Sequence, residues 1–198
     1  MKRLIFDIET KGLLDSINTL EDIHCLCTIN IDTGEESSYS TLDGTLEEGL
    51  KTLTTADLIV GVNSVSFDVP AIDKVAKLEL GAKTSIQEHL DIQLFARLKF
   101  PDTTDRDFRT MNNGFPRELI GKHSLKAWGY RIGVIKGNYG ETSNWETCTQ
   151  EMIDYCLQDC RVTLALYNYL KPWEYSQEAI QLEHDVKRYI NEQESCGV

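Results

Sequence analysis

The sequence predicts an α/β protein built on a mixed sheet, and three observations carry that prediction. Residues 3 to 8 and the stretch IHCLCTINI, Ile23 to Ile31, alternate in the manner of strands, and the turn signal Asp32-Thr33-Gly34 follows the second. A third strand near Glu35 to Thr41 then returns as a hairpin. Apolar residues switch to helical spacing at Leu42, Leu46, Leu50 and Leu53, and the apolar strand DLIVGV follows at 57 to 62. The order β-β-β-α-β gives a sheet of about five strands, the first three antiparallel, flanked by helices.

The remaining elements follow in order. Val69 to Leu80 reads as a second helix, and a short strand leads into Asp91, the N-cap of a helix over DIQLFARL. Phe100 to Phe115, rich in Asp, Thr and Asn, reads as a long loop. Leu119 to Trp128 is short and helical. Two helices close the chain, about Thr149 to Leu170 and Ser176 to Glu194, divided by Lys171-Pro172-Trp173. Thr147 and Gln150 have the spacing of a capping box for the first.

Composition narrows the function. At 198 residues the chain holds one sizeable core, with 41% apolar and 26% charged residues. A net charge of −12 excludes a binder that grips nucleic acid by a broad basic surface, so any phosphate here needs a local counter-charge such as a divalent cation. The six cysteines contain no C-x-x-C pair and read as reduced, mostly buried thiols of a cytosolic protein. No stretch has the length of a signal peptide core or a membrane span.

The first strand ends in FDIET. Side chains alternate along a strand, so Asp7 and Glu9 share a face, and two such carboxylates need a cation, a proton or solvent. Composition alone yields an Asp-x-Glu on the order of once in such a chain, so a solvated strand end is equally consistent. Asn63 and Asp68 lie in the turn after DLIVGV, at a strand's carboxyl end, where open α/β sheets bind ligands; Asp68 also suits a helix N-cap. Tyr155 and Asp159, four apart in DYCLQDCRVT, share a helix face beside the apolar stripe of Met152, Cys156 and Cys160. Buried there, Asp159 needs a partner or a metal; at the rim it is a surface charge.

Taken together, FDIET, the N-x-x-x-F-D of NSVSFD and the Y-x-x-x-D of YCLQD resemble the three motifs of the DEDD 3′–5′ exonuclease superfamily, tyrosine subgroup. HSLKAWGYRIGVIKGNY, His123 to Tyr139, is similar to a segment of the proofreading domains of phage-type family A DNA polymerases. The resemblance covers nearly the whole chain and implies a ribonuclease-H-like fold. It implies catalytic roles for Asp7, Glu9, Asp68, Tyr155 and Asp159, with the four carboxylates holding two Mg²⁺ or Mn²⁺ ions. It further implies hydrolysis of a single-stranded DNA 3′ end to nucleoside 5′-monophosphates, with Thr10, Leu13, Asn63 and Lys136 contacting substrate.

Arg131 is expected on a solvated face, and His123 as structural or at the substrate's edge. The resemblance divides the chain into an exonuclease domain, 1–172, and a terminal helix, 173–198, leading toward a polymerase domain that the sequence does not contain. An excised domain and a free-standing subunit that docks on a polymerase both fit that reading, in a bacterial or phage-infected host cytoplasm and without a membrane. Two alternatives stay open: an RNA 3′ exonuclease like ribonuclease D, and a nucleic-acid-binding scaffold without catalysis.

Overall fold

Alternation along the first strand decides the layering of the whole molecule. A computed structural model gives the fold for residues 1–11, 20, 22–110, 114–136 and 145–197. Strand β1 spans Arg3–Thr10 and pairs antiparallel with β2, Ile23–Asn30, which pairs antiparallel with β3, Glu36–Ser40. On its other side β1 runs parallel to β4, Leu58–Gly61, and β4 parallel to β5, His89–Asp91. The five-stranded order is β3-β2-β1-β4-β5, the mixed α/β sheet that the sequence predicts.

Leu4, Phe6 and Ile8 enter one core with Leu26 and Ile59, against Leu50 and Leu53 of helix α1 (Leu46–Thr54) and Val69 and Ile72 of α2 (Asp68–Ala76). Ile5 enters the opposite core with Cys25, Cys27 and Val60. That core is closed by α3 (Ile92–Lys99), α5 (Leu125–Ile132) and the 21-residue α6 (Gln150–Leu170), through Phe95, Trp128, Met152, Cys156 and Leu166. Asp7 and Glu9 stand opposite Cys27 and Cys25 in the β1–β2 register, so the two carboxylates continue the face that looks toward α6. The register slips directly after Glu9, which ends the regular pairing at the site.

Several boundaries differ from the expectations. Helix α1 starts at Leu46, and Leu42 is exposed in the preceding turn, where the side chain of Asp43 binds Ser40 and Thr45. Helix α2 ends at Ala76 on the left-handed Lys77, and Leu80 opens a separate short turn of 3₁₀ helix. Helix α5 begins only at Leu125, capped by Ser124, with a 3₁₀ turn at Arg117–Leu119 before it. The N-cap of α6 is Thr149, whose hydroxyl accepts Met152 N–H at 3.2 Å, so Thr147 has no capping role there.

The expected loop over Phe100–Phe115 contains helix α4, Thr104–Thr110. Its reason is a buried ion pair that sequence reading placed in solvent. Arg131 of α5 donates to Asp107 from Nε at 2.9 Å and from Nη2 at 2.7 Å, and to Thr103 Oγ1 at 2.9 Å. Both side chains are 1% exposed or less, and Gly121 N–H supplies a further donor to Asp107 at 2.9 Å. Burial works to raise the Asp107 carboxyl, and the Arg131 and Gly121 bonds hold it below its ordinary range. The last helix, α7, spans Gln177–Ser195 and is capped by Ser176. No helix among the described residues is long and apolar enough to cross a membrane.

Candidate metal and nuclease centre

The site lies where β1 and β4 end. One open cavity of about 170 Å³ is lined by Asp7, Glu9, Asn63, Asp68, Lys136, Trp145, Tyr155 and Asp159, with Ile8, Val62 and Phe67 at its walls. Three separate segments thus deliver all four candidate carboxylates and the tyrosine into one space. Asp7 and Glu9 come from consecutive same-face positions of β1, and Tyr155 and Asp159 from one face of α6, which packs across β1 and β2.

Asp68 arrives from the opposite layer. Gly61 ends β4 in a turn so close that a Cβ there would meet Ser64 Cβ at 2.7 Å. Asn63 takes φ +59°, and its carbonyl accepts Ser66 and Phe67 N–H, both at 3.1 Å. Helix α2 therefore begins at the sheet's edge with Asp68 as its first residue. Phe67 occupies the cap position, and the Asp68 side chain instead accepts the backbone N–H groups of Asp68 itself and Ile8.

The turn is fixed from below by Asp91, which also caps α3 as expected, accepting Gln93 and Leu94 N–H. Its carboxylate additionally accepts Asn63 N–H at 3.1 Å and Val65 N–H at 3.2 Å. Asp91 N–H in turn donates to His184 Nε2 of α7 at 2.8 Å. This brace escaped sequence reading, since its only signal was an ordinary N-cap aspartate.

Electrostatics in the cavity are strained. Burial, then the neighbouring Glu9, Asp159 and Asp68, push the Asp7 carboxyl well above its ordinary range. Burial and Asp159 push Glu9 up to about 8, and burial pushes Asp68 up to about 7. Asp159 is also raised by burial, against the pull of Lys136, with which it forms an ion pair. Burial and the Asp159 charge push the Tyr155 hydroxyl up to about 12, so it keeps its proton at neutral pH.

The donor set suits a hard divalent ion. All four acids offer oxygen, and Asp159 Oδ1 is buried with no hydrogen-bond partner among the described residues. Oxygens of Asp7 and Glu9 lie within 4.8 Å of each other and of Cys156 Sγ. That sulfur donates to the Asp7 carbonyl at 3.3 Å, and burial and the neighbouring Cys25 and Cys27 hold its thiol far up the scale, in its protonated form.

Of the expected substrate residues, Asn63 and Lys136 line the cavity, and Thr10 is buried at the end of β1. Leu13 lies outside the described residues. His123 packs its ring against Trp128 and is not among the cavity residues. Trp145, which sequence reading passed over, lines the cavity while its carbonyl binds His24 Nε2 at 3.0 Å.

No protein-family model matches the chain. It is 30% identical over 98% of its length to the DNA-directed DNA polymerases of Escherichia phage T7 and Enterobacteria phage T3. The chain spans about a third, 33%, of those curated relatives. Among solved structures it resembles the family B DNA polymerase of Pyrobaculum calidifontis, at TM-score 0.59 and 20% identity over 92% of this chain and 25% of that one. It also resembles the catalytic core of RRP6 from Trypanosoma brucei, at TM-score 0.60 and 14% identity over 96% of this chain and 46% of that one. RNase D of the same organism follows at TM-score 0.55 and 18% identity, over 86% and 56%. These structural likenesses establish a ribonuclease-H-like fold. The homology runs along nearly the whole of this chain, which carries the ordered FDIET, NSVSFD and YCLQD motifs.

Proposed function

We infer that the chain is a metal-dependent 3′–5′ exonuclease of the tyrosine subgroup, which removes nucleotides from a single-stranded DNA 3′ end as the proofreading part of a phage-type family A polymerase. One observation carries this reading: Asp7, Glu9, Asp68, Tyr155 and Asp159 line a single cavity although they come from residues far apart in sequence. Nothing in the core requires four acids there, and their mutual repulsion is a cost that a pair of divalent cations offsets.

Asp7, Glu9, Asp68 and Asp159 are the residues that would hold Mg²⁺ or Mn²⁺, two ions in this reading. When bound, such ions stabilise charge on a phosphate and make a water acidic enough to attack near neutral pH. The chain's own residues do the rest. Tyr155 keeps its proton, so it acts as a donor that orients the attacking water rather than as a base. Glu9, which lines the same cavity, would offer an oxygen for that water's proton. The water oxygen bonds to phosphorus, the bond to the 3′ oxygen breaks, and a proton passes to that oxygen, releasing a nucleoside 5′-monophosphate. Asn63 and Thr10 bind the terminal nucleotide, and the role that the motif resemblance implies for Leu13 falls outside the described residues.

The relatives support a reading of the polymer and the partner. Phage polymerases match at 30% identity along the chain, against 14% to 18% for the RNA-processing structures, which favours DNA. A polymerase domain, linked or docked, and a phage-infected bacterial cytoplasm complete the reading. Domain bounds of 1–172, with 173–198 as a helix leading toward that partner, belong to it as well.

The test is a 5′-labelled single-stranded oligodeoxynucleotide incubated with protein and Mg²⁺ or Mn²⁺, beside an RNA of the same sequence. Shortening of the DNA in single-nucleotide steps from the 3′ end is expected, abolished by D7A/E9A. Full activity in that double variant would sink the assignment. Preference for the RNA would replace the polymerase reading with the ribonuclease-D-like one, and a clean failure on both polymers would leave the non-catalytic scaffold.

A further inference from the structure

Lys136 sits among the four carboxylates as their common counter-charge. Its ammonium pairs with Asp159 and lies 4.7 Å from the centre of the Tyr155 ring. It also draws down the carboxyls of Asp7, Glu9 and Asp68. Among the described residues it is the only lysine or arginine lining the cavity.

Its position is built by the fold. Helix α5 ends on Gly133 with φ +76°, and Val134 N–H turns back to the Gly129 carbonyl at 3.0 Å. A Cβ on Gly129 would lie 2.6 Å from the Val134 carbonyl oxygen and 3.5 Å from Lys136 N. A glycine at 129 therefore lets the returning chain press onto α5 and aim residue 136 at the cavity.

The ammonium sits on Asp159 Oδ2, so a divalent ion at the same carboxylate draws on the same negative charge, and each cation repels the other across a few ångströms. We propose that Lys136 is a resident cation displaced by metal: it holds Asp159 until a divalent ion binds, and the released ammonium then reaches the phosphate of the bound strand. Loading of metal and gripping of substrate are coupled through one side chain, and Lys136 is a positioning residue for Asp159 before it is a phosphate ligand. This proposal rests on the exonuclease reading.

The competition makes a prediction that a purely supporting role reverses. Were Lys136 merely a strut for Asp159, its removal would loosen the site and weaken metal binding. As a competitor, its removal strengthens binding. Mn²⁺ titrated into the intact protein and followed by the paramagnetic resonance of free Mn²⁺ measures this without any turnover. K136M is expected to bind Mn²⁺ about tenfold more tightly than wild type. K136R, which keeps a cation on Asp159, is expected to bind no more tightly than wild type. At saturating Mn²⁺, K136M should raise the KM for a single-stranded oligodeoxynucleotide.

Equal or weaker Mn²⁺ binding by a folded K136M, with wild-type binding that D159N weakens, overturns the displacement and leaves the exonuclease reading standing. Should K136M fail to fold, K136Q takes its place in the same titration. Absence of Mn²⁺ binding by the wild type overturns the exonuclease reading itself, and the two failures are thereby distinct.

Discussion

The Nε2 atom of His184 accepts the backbone N–H of Asp91 at 2.8 Å, and its Nδ1 binds the Ile180 carbonyl at 2.8 Å. Two bonds of opposite sense fix the neutral tautomer with its proton on Nδ1. Through Asp91 the contact links α7 to the Asn63 turn, and so to the start of α2 where Asp68 stands.

The pH dependence of stability follows from that link. Burial pushes His184 down to about 4, helped by Arg188 and opposed by the Ile180 bond and Asp185. Burial pushes the neighbouring His89, which binds Ser64 Oγ at 2.9 Å, down to about 3, with His184, Arg188 and Lys83 adding to the shift. Both folded values lie below the unfolded value near 6.5, so the unfolded chain binds more protons as pH falls. Their contribution is complete above about 6.5 and is lost as pH falls through that value toward 4 and 3. Other groups titrate in the same window, so the informative quantity is a difference. Between pH 6 and 4.5, H184Q should show a stability slope shallower than wild type by about 1.4 kcal/mol per pH unit. Urea melts across that range measure it, and parallel slopes would refute the neutral buried histidine.

Removing site acids is expected to separate stability from function. Asp7 and Glu9 are held together against burial and like charge. Thermal melts in the presence of a chelator should place D7N/E9Q at or above wild type, by about 1 kcal/mol. Exonuclease activity of the same variant should fall at least about a thousandfold. A variant that melts well below wild type would show that the two acids support the fold, contrary to their reading as metal ligands.

Which acids share a face was legible from two rigid periods, and the motif resemblance joined those pairs with Asp68 into one candidate site. Asp7 and Glu9 share a face through the strand period of two, and Tyr155 and Asp159 through the helical spacing of four. What the sequence hid depends on contacts between distant segments. Helix α4 was unreadable from TTDRDFRT, since its polar residues suit a loop until Arg131, 24 positions after Asp107, is buried against it. The same residue reads as solvated when α5 is considered alone. The Lys136 pairing and the Asp91 brace are likewise contacts made by a loop and a cap, where no period marks the partner.

That hidden ion pair has a measurable weight. Replacing Arg131 by Met leaves the Asp107 carboxylate buried with Gly121 N–H and the Thr103 hydroxyl as its remaining partners among the described residues, and the cost should be about 3–5 kcal/mol in chemical denaturation. The double variant R131M/D107L removes both charges and should recover a large part of that loss, because the uncompensated charge and not the missing bond carries most of it. Equal losses in the single and double variants would show instead that packing of the guanidinium on Trp128, 4.7 Å from the ring centre, is what holds α4 to α5.

Tyr155 offers the sharpest test of chemistry apart from folding. Its hydroxyl is pushed up to about 12 by burial and Asp159, so it keeps its proton across neutral pH. Y155F deletes that donor and leaves the ring, over which the Lys136 ammonium rests. Loss of one well-placed donor costs about a hundredfold to a thousandfold in kcat. Because the ring remains, the Mn²⁺ affinity and the melting temperature of Y155F should match wild type within error. Single-turnover degradation of a labelled oligodeoxynucleotide at saturating Mn²⁺ reads the chemical step directly. With Tyr155 as a donor, the drop should be constant from pH 6.5 to 8.5. A drop that grows with pH would mean that Tyr155 ionises within it and works as a base, which its burial beside Asp159 argues against.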